Sequence, residues 1–186
     1  MGYLTPRNTS LSGLKVIEKE PVEDERGFLL RLFCAKELDT AGWTKSTPQV
    51  NWSLTKLKGA VRGLHFQMPP QPEMKIVPCI RGAVWDVQVD LRKRSPTFLH
   101  WHSTELSASN RLSILIPEGL AHGFQALTDN VELVYCHSGT YESSAEGGLN
   151  PQDPRLAIPW PLKISQVSVK DHQQKFLEPD YQGIDL

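Results

Sequence analysis

The segment that most constrains the fold is Ala83-Val84-Trp85-Asp86-Val87-Gln88-Val89-Asp90-Leu91. Ala83, Trp85, Val87, Val89 and Leu91 recur with period two, and Asp86, Gln88 and Asp90 occupy alternate positions between them. Successive side chains of a strand point to opposite faces, so this spacing predicts a strand with one apolar and one polar face.

Other short apolar runs read the same way: residues 28–33, 46–54, 61–67, 75–80, 113–116, 123–127 and 131–137. The 14 prolines and 13 glycines are scattered between such runs rather than clustered. Gly82, Pro117-Glu118-Gly119 and Thr128-Asp129-Asn130 mark turns. Only residues 35–40 and 170–176 read as helical, and both are short. Many short strands with frequent punctuation predict an all-β fold, a sandwich or barrel. The expectation is a double-stranded jelly-roll barrel with its ligand site inside. The tail carries Pro151, Pro154, Pro159 and Pro161, which predict irregular chain wrapped around the barrel. A length of 186 residues fits one domain over 1–186 with a sizeable core.

Twenty basic and 21 acidic residues nearly cancel, leaving a formal charge of -1. That balance argues against a general nucleic-acid or membrane-surface role, while leaving room for a local basic pocket. Cys34, Cys79 and Cys136 are odd in number and form no CxxC, so neither a disulfide framework nor a zinc site is expected. A reducing cytoplasm fits this cysteine usage. The N-terminal segment lacks the apolar stretch of a signal peptide, and no window approaches a membrane span.

Three places interrupt strand-like segments with reactive side chains. In Val61-Arg62-Gly63-Leu64-His65-Phe66-Gln67 an anion binder, a potential base and an amide lie close together. A strict strand would put Arg62 and His65 on opposite faces, whereas a bulge or bend at Gly63 would let them serve one ligand. A satisfied structural histidine is the plainer alternative. Glycines bracket His122 in Gly119-Leu120-Ala121-His122-Gly123, which argues for close backbone approach there, or for a hairpin turn with an exposed imidazole. Tyr135 shares a face with Val131 and Leu133, and is either a core tyrosine or an acid beside a base. No metal is expected: residue 67 is Gln where a His-x-His pair needs a second imidazole, and no acid follows before Glu73.

Taken together, these segments resemble the dTDP-4-dehydrorhamnose 3,5-epimerases, a cupin-type jelly-roll family. The similarity runs in order from Glu23-Asp24-Glu25-Arg26-Gly27-Phe28 to Ser168-Val169-Lys170-Asp171. Its most specific parts are Arg62-Gly63-Leu64-His65-Phe66-Gln67 and Asp86-Val87-Gln88-Val89-Asp90-Leu91-Arg92. Ser95-Pro96-Thr97-Phe98, Leu106-Ser107-Ala108-Ser109-Asn110 and residues 116–124 add to it.

The resemblance implies that His65 is the general base, Asp171 its carboxylate partner and Tyr135 the general acid. It places Lys75 and His122 near the sugar, and Arg26, Arg62, Gln49, Asn51, Glu146, Lys170 and Tyr141 at substrate-binding positions. The implied substrate is a nucleotide-diphosphate 4-keto-6-deoxy sugar, dTDP-linked as first choice, epimerised at C3 and/or C5 without a cofactor. The implied assembly is a homodimer, in which Arg26 can act across subunits. A ketone at C4 acidifies the C3 and C5 protons, and imidazole, with a pKa of about 6.5, can accept and release them.

Three features depart from the family pattern: Cys136-His137-Ser138-Gly139 after the acid, Pro151-Gln152-Asp153 before the last Trp-Pro, and Arg31 where a Glu is usual near the nucleotide. The first and third leave the sugar, the centres inverted and the base open. Arg31 would suit the cytosine of a CDP-linked sugar, because N3 of cytosine accepts a hydrogen bond; the plainer reading is that it turns to solvent or assists the diphosphate, which keeps dTDP first. Alternatives are a C3-only or C5-only epimerase, a 3,4-ketoisomerase, a metal-dependent cupin oxygenase and a non-catalytic sugar-binding module.

Overall fold

The computed structural model describes residues 3–186, so the first two residues of the N-terminal segment lie outside it. In chain order the strands begin with β1 Leu4–Asn8, β2 Lys15–Lys19, β3 Val22–Asp24, β4 Gly27–Leu29, β5 Gln49–Thr55, β6 Ala60–Gln67 and β7 Lys75–Arg81. They continue with β8 Ala83–Asp90, β9 Trp101–Ser107, β10 Ser113–Ile116, β11 Leu120–Ala126, β12 Val131–His137, β13 Glu146–Gly148 and β14 Gln166–Val167. Two single-turn helices, α1 Ala35–Leu38 and α2 Val169–His172, complete the regular structure together with a 3₁₀ turn at Asp39–Ala41.

Two sheets, antiparallel apart from the short β14, face each other as a jelly roll. One has the order β1-β2-β10-β7-β12-β5, and the other β13-β6-β11-β8-β9 with β14 added beside β6. Between them, Val77, Cys79, Ile114, Ile116 and Leu133 of the first sheet meet Val84, Leu106, Leu120 and Phe124 of the second. Two further apolar layers lie outside. Leu38, Ala41 and Trp43 cover Ile17, Ile76, Leu115 and Cys136 of the first sheet. The tail residues Leu149, Leu156, Ile158, Leu177 and Ile184 cover Leu64, Val87, Val89 and Leu91 of the second. The tail therefore wraps the barrel.

That outer layer explains the alternation in β8. The apolar face of β8 points outward beneath the tail, and Trp85 makes edge contacts with Trp101 and Trp160 at 6.0 and 5.5 Å. The polar face points into the barrel, where Asp86, Gln88 and Asp90 are fully buried. Buried carboxylates are costly unless paired. Asp90 meets this with two hydrogen bonds from the Arg92 guanidinium, at 2.9 and 2.7 Å.

Several expected elements differ in extent. The run 28–33 yields only the short strand β4, which folds back on β3 as a small hairpin of its own. The strand expected over 123–127 is β11, starting at Leu120 because the Pro117-Glu118-Gly119 turn ends there. The helix expected over 35–40 breaks into α1 and the 3₁₀ turn, closed by Gly42 at φ +103°. That expected over 170–176 is the single turn α2, with the Ser168 hydroxyl capping the Asp171 N–H at 3.0 Å. Strands β1, β2, β3, β9, β13 and β14 were not expected. The sequence of β9, Trp101-His102-Ser103-Thr104-Glu105-Leu106-Ser107, is polar because it is an edge strand, paired only with β8. No helix among the described residues is long and apolar enough to cross a membrane.

Candidate active site

The site begins with an irregularity in β6. His65 pairs with His122 of β11, yet Arg62 pairs with Phe124, so three steps along β6 match two along β11. The extra residue is accommodated at Gly63, which has φ +115°. A Cβ there would lie 2.6 Å from the Gly123 Cα and 2.7 Å from the His122 carbonyl oxygen, so the two backbones can approach only as glycines. The bulge turns Arg62 and His65 to the same side, where both line a cavity of about 650 Å³. Gln49, Asn51, Lys75, His122, Tyr135, Tyr141 and Glu146 line it as well.

His65 Nε2 lies 2.7 Å from Asp171 Oδ1, and Asp171 Oδ2 accepts from the Gly63 N–H at 3.2 Å. Burial pushes the Asp171 carboxyl up, but the hydrogen bond and charge of His65, with bonds from Gly63 and Ser168, outweigh it. The carboxyl is held below its ordinary value and so remains an anion beside the imidazole. The same glycine that kinks β6 thus also donates to the partner of its histidine.

A second imidazole–carboxylate pair lies deeper. His122 Nε2 is 2.8 Å from Asp86 Oδ2, both side chains are buried, and Gln88 Nε2 donates to the other Asp86 oxygen. Tyr135 comes from β12 in the opposite sheet, with its ring centroid 6.0 Å from His122 and 6.0 Å from His137. Burial, and then the Asp86 carboxylate, push the Tyr135 phenol well above its ordinary value against the opposing charge of Arg62. A phenol in that setting keeps its proton until an anion develops beside it. Lys75 Nζ lies 3.0 Å from Glu73 Oε1, and Glu73 Oε2 meets His137 Nδ1 at 2.8 Å. Among the described residues no group of three or more His, Cys, Asp or Glu side chains is placed to hold a metal ion.

The family model described as dTDP-4-dehydrorhamnose 3,5-epimerase matches residues 8–179. This chain belongs to that family. A Shigella flexneri protein named dTDP-4-dehydrorhamnose 3,5-epimerase is 40% identical over 175 residues, 93% of this chain and 96% of that protein. A Streptomyces niveus protein named dTDP-4-dehydrorhamnose 3-epimerase is 38% identical over 172 residues, 92% of this chain and 83% of that protein. The crystal structure of a Bacillus anthracis str. Ames dTDP-4-dehydrorhamnose 3,5-epimerase with TDP and PPi bound has a TM-score of 0.90 and 37% identity, covering 94% of this chain and 99% of that one.

The remaining candidates of this family member fall in three places. At the rim of the cavity, Glu146 Oε2 accepts from the Tyr141 hydroxyl at 2.9 Å and from Lys170 Nζ at 2.6 Å, joining three expected residues. Gln49 Oε1 accepts from the Tyr141 N–H at 2.9 Å. Arg26 lies away from the cavity, on the exposed β3–β4 hairpin, paired with Asp24. Arg31 also lies outside the lining of this cavity. Its guanidinium pairs with Glu37 of α1, whose other oxygen accepts from the Leu4 N–H at 3.0 Å. Gln67, the amide expected beside the base, is engaged with the Gln71 and Thr140 carbonyls and the Glu142 N–H.

Asp86, Glu73 and His137 went unrecognised in the sequence. Asp86 had a signal, since it alternates with Gln88 on a polar strand face, but the side of the sheet that closes over a cavity is a tertiary matter. His137 stands two residues after Tyr135 and so shares its face. Glu73 lies in a loop and carries no periodic signal at all.

Proposed function

We propose that this chain is an isomerase that epimerises a nucleotide-linked 4-keto-6-deoxyhexose, with dTDP as the first-choice nucleotide, at C3 and/or C5. The observation that carries the reading is the placement of His65 on one sheet, paired with Asp171 of α2, and of Tyr135 on the other, with His65 and Tyr135 lining one cavity. Inversion requires a proton to leave one face of the sugar ring and another to arrive on the opposite face. His65 Nδ1, the nitrogen not engaged by Asp171, takes the proton from carbon. Asp171 holds the ring and stabilises the imidazolium. The electron pair moves onto the C4 oxygen as an enolate, which the Lys75 ammonium and the His122 imidazole stabilise. Tyr135 returns a proton from across the cavity. Arg62 suits the diphosphate, since guanidinium binds phosphate oxygens bidentately. No cofactor enters these steps.

A homodimer is part of the proposal. Gln49, Asn51 and Ser53 of β5 face the cavity, and the alternate residues Val50, Trp52 and Leu54 form an exposed apolar stripe, Trp52 at 69%. β5 is a sheet edge, and Phe28 and Leu29 on the β3–β4 hairpin are exposed too. Apolar stripes at sheet edges call for a covering partner. In such a dimer the hairpin can deliver Arg26 to the partner's cavity. Cytoplasmic residence is supported by three cysteines that are all free.

Incubation with dTDP-4-keto-6-deoxyglucose in D2O, with deuterium read at C3 and C5, tests the reaction. Exchange and inversion at both carbons is the expected outcome. The name of the Streptomyces niveus relative makes C3-only inversion the second reading, and deuterium confined to C3 would select it. The pairing of Arg31 with Glu37 favours dTDP over a CDP-linked substrate. No exchange at either carbon would end the proposal.

A further inference from the structure

Lys75 is paired within the cavity wall itself. Glu73 stands two residues before it, and its two carboxylate oxygens are divided between Lys75 Nζ at 3.0 Å and His137 Nδ1 at 2.8 Å. The Glu73, Lys75 and His137 side chains are only 7%, 12% and 10% exposed. The register explains the meeting, because His137 of β12 pairs directly with Lys75 of β7 and with Gln49 of β5. The groups facing His137 are Glu73, Lys75 of β7, Asn51 of β5 and Tyr135 on its own strand. Asn51 Nδ2 lies 3.3 Å from His137 Nε2. An amide donating there leaves the ring proton on Nδ1, directed at Glu73. The His137 ring also stacks on Tyr135, at 6.0 Å between centroids and 17° between planes.

An ammonium with little access to water is stable only beside a counter-charge. Burial pushes the Glu73 carboxyl up, but the His137 hydrogen bond and the Lys75 charge outweigh it and hold it below its ordinary value. Glu73 is therefore an anion at neutral pH.

We propose that Glu73 is a positioning residue that holds the Lys75 ammonium at the cavity wall where the enolate oxygen develops, and that His137 aligns Glu73 for that task. The enolate part rests on the reaction proposed above, whereas the counter-ion part does not. Sharing Glu73 with His137 keeps the carboxylate from drawing Lys75 away from the substrate.

Acylation of Lys75 by acetic anhydride, followed against pH by peptide mass spectrometry, reads the pair without reference to turnover. In Glu73→Gln, labelling should set in about 1–3 pH units lower than in wild type, because the ammonium has lost its counter-charge. His137→Gln, which leaves Glu73 with Lys75, should shift labelling less. Turnover by Glu73→Gln should fall about tenfold to a hundredfold in kcat with KM little changed, as expected for a misplaced oxyanion cation. Glu73→Asp should recover part of the labelling shift, and it carries the test if the Gln variant does not fold. An unchanged Lys75 labelling profile in Glu73→Gln, or in Glu73→Asp if the Gln variant is unfolded, overturns the proposal. A shift in His137→Gln as large as that in Glu73→Gln overturns the aligning role. If wild type exchanges no deuterium while the labelling shift persists, the reaction fails and the counter-ion pair stands.

Discussion

Gly63→Ala tests the link between the strand irregularity and the chemistry. The new methyl would lie 2.6 Å from the Gly123 Cα and 2.7 Å from the His122 carbonyl oxygen, both backbone atoms of β11, with no flexible side chain to yield. The backbone also holds φ at +115°, which an L side chain resists at a cost of about 1–3 kcal/mol. Relieving the overlap costs a further ~1–3 kcal/mol, for a sum of roughly 2–6 kcal/mol. Gly123→Ala is the control. Its methyl would meet the Arg62 carbonyl oxygen and Leu64 Cδ2, both at 2.8 Å, without the positive φ, so it should cost only the packing share. Urea unfolding of both variants at one pH measures the difference, expected at about 1–3 kcal/mol. Epimerase activity of folded Gly63→Ala should fall about a hundredfold, because straightening β6 parts Arg62 from His65, a misplacement on the scale of an ångström. Stability no lower than that of Gly123→Ala would refute the backbone argument, and wild-type turnover would refute the claim that the bulge assembles the site.

Tyr135→Phe should separate exchange from inversion: deuterium enters the substrate through His65 while little epimer forms, as NMR of the sugar would show, and unchanged epimer yield would make Tyr135 a core residue. His65→Asn should lower deuterium incorporation by about 10²–10⁴-fold, and Asp171→Asn should reduce it less, both read by mass spectrometry of the recovered sugar. Asp171, Asp90 and Glu73 are buried carboxyls whose hydrogen bonds and neighbouring cations outweigh burial and hold them below their ordinary values. The unfolded chain binds these protons more tightly, so the stability they contribute is present above those values and lost as pH falls below them. The urea midpoint should therefore drop between about pH 5 and 3, and a flat midpoint would contradict the pairing. Arg31→Glu sets two carboxylates together at Glu37 and should cost roughly 1–2 kcal/mol in unfolding free energy while leaving nucleotide preference unchanged by calorimetry; a swing toward another base would place Arg31 at the nucleotide after all.

Local chemistry was sufficient for the strand-rich character of this chain. Period-two alternation in β8, proline and glycine punctuation, and ordered motifs around His65, Tyr135 and Asp171 are properties of neighbouring residues. They led to the jelly roll and to the family. The direction in which β8 presents its faces was not legible there, because it depends on a tail some sixty residues away covering Val87, Val89 and Leu91. Once that tail takes the apolar face, Asp86 must enter the barrel and find His122. The choice between a bulge and a straight strand at Gly63 likewise lay open until Gly123 of the neighbouring strand was seen packed against it. Arg31 was open in the same way: its position allowed solvent, the diphosphate or a base, and only the fold set its guanidinium against Glu37, six residues later. Sequence alone determined which chemical groups this protein carries and how its strands alternate. Tertiary structure decided which groups share a cavity, because charge pairing and burial are settled between segments that the chain itself holds far apart.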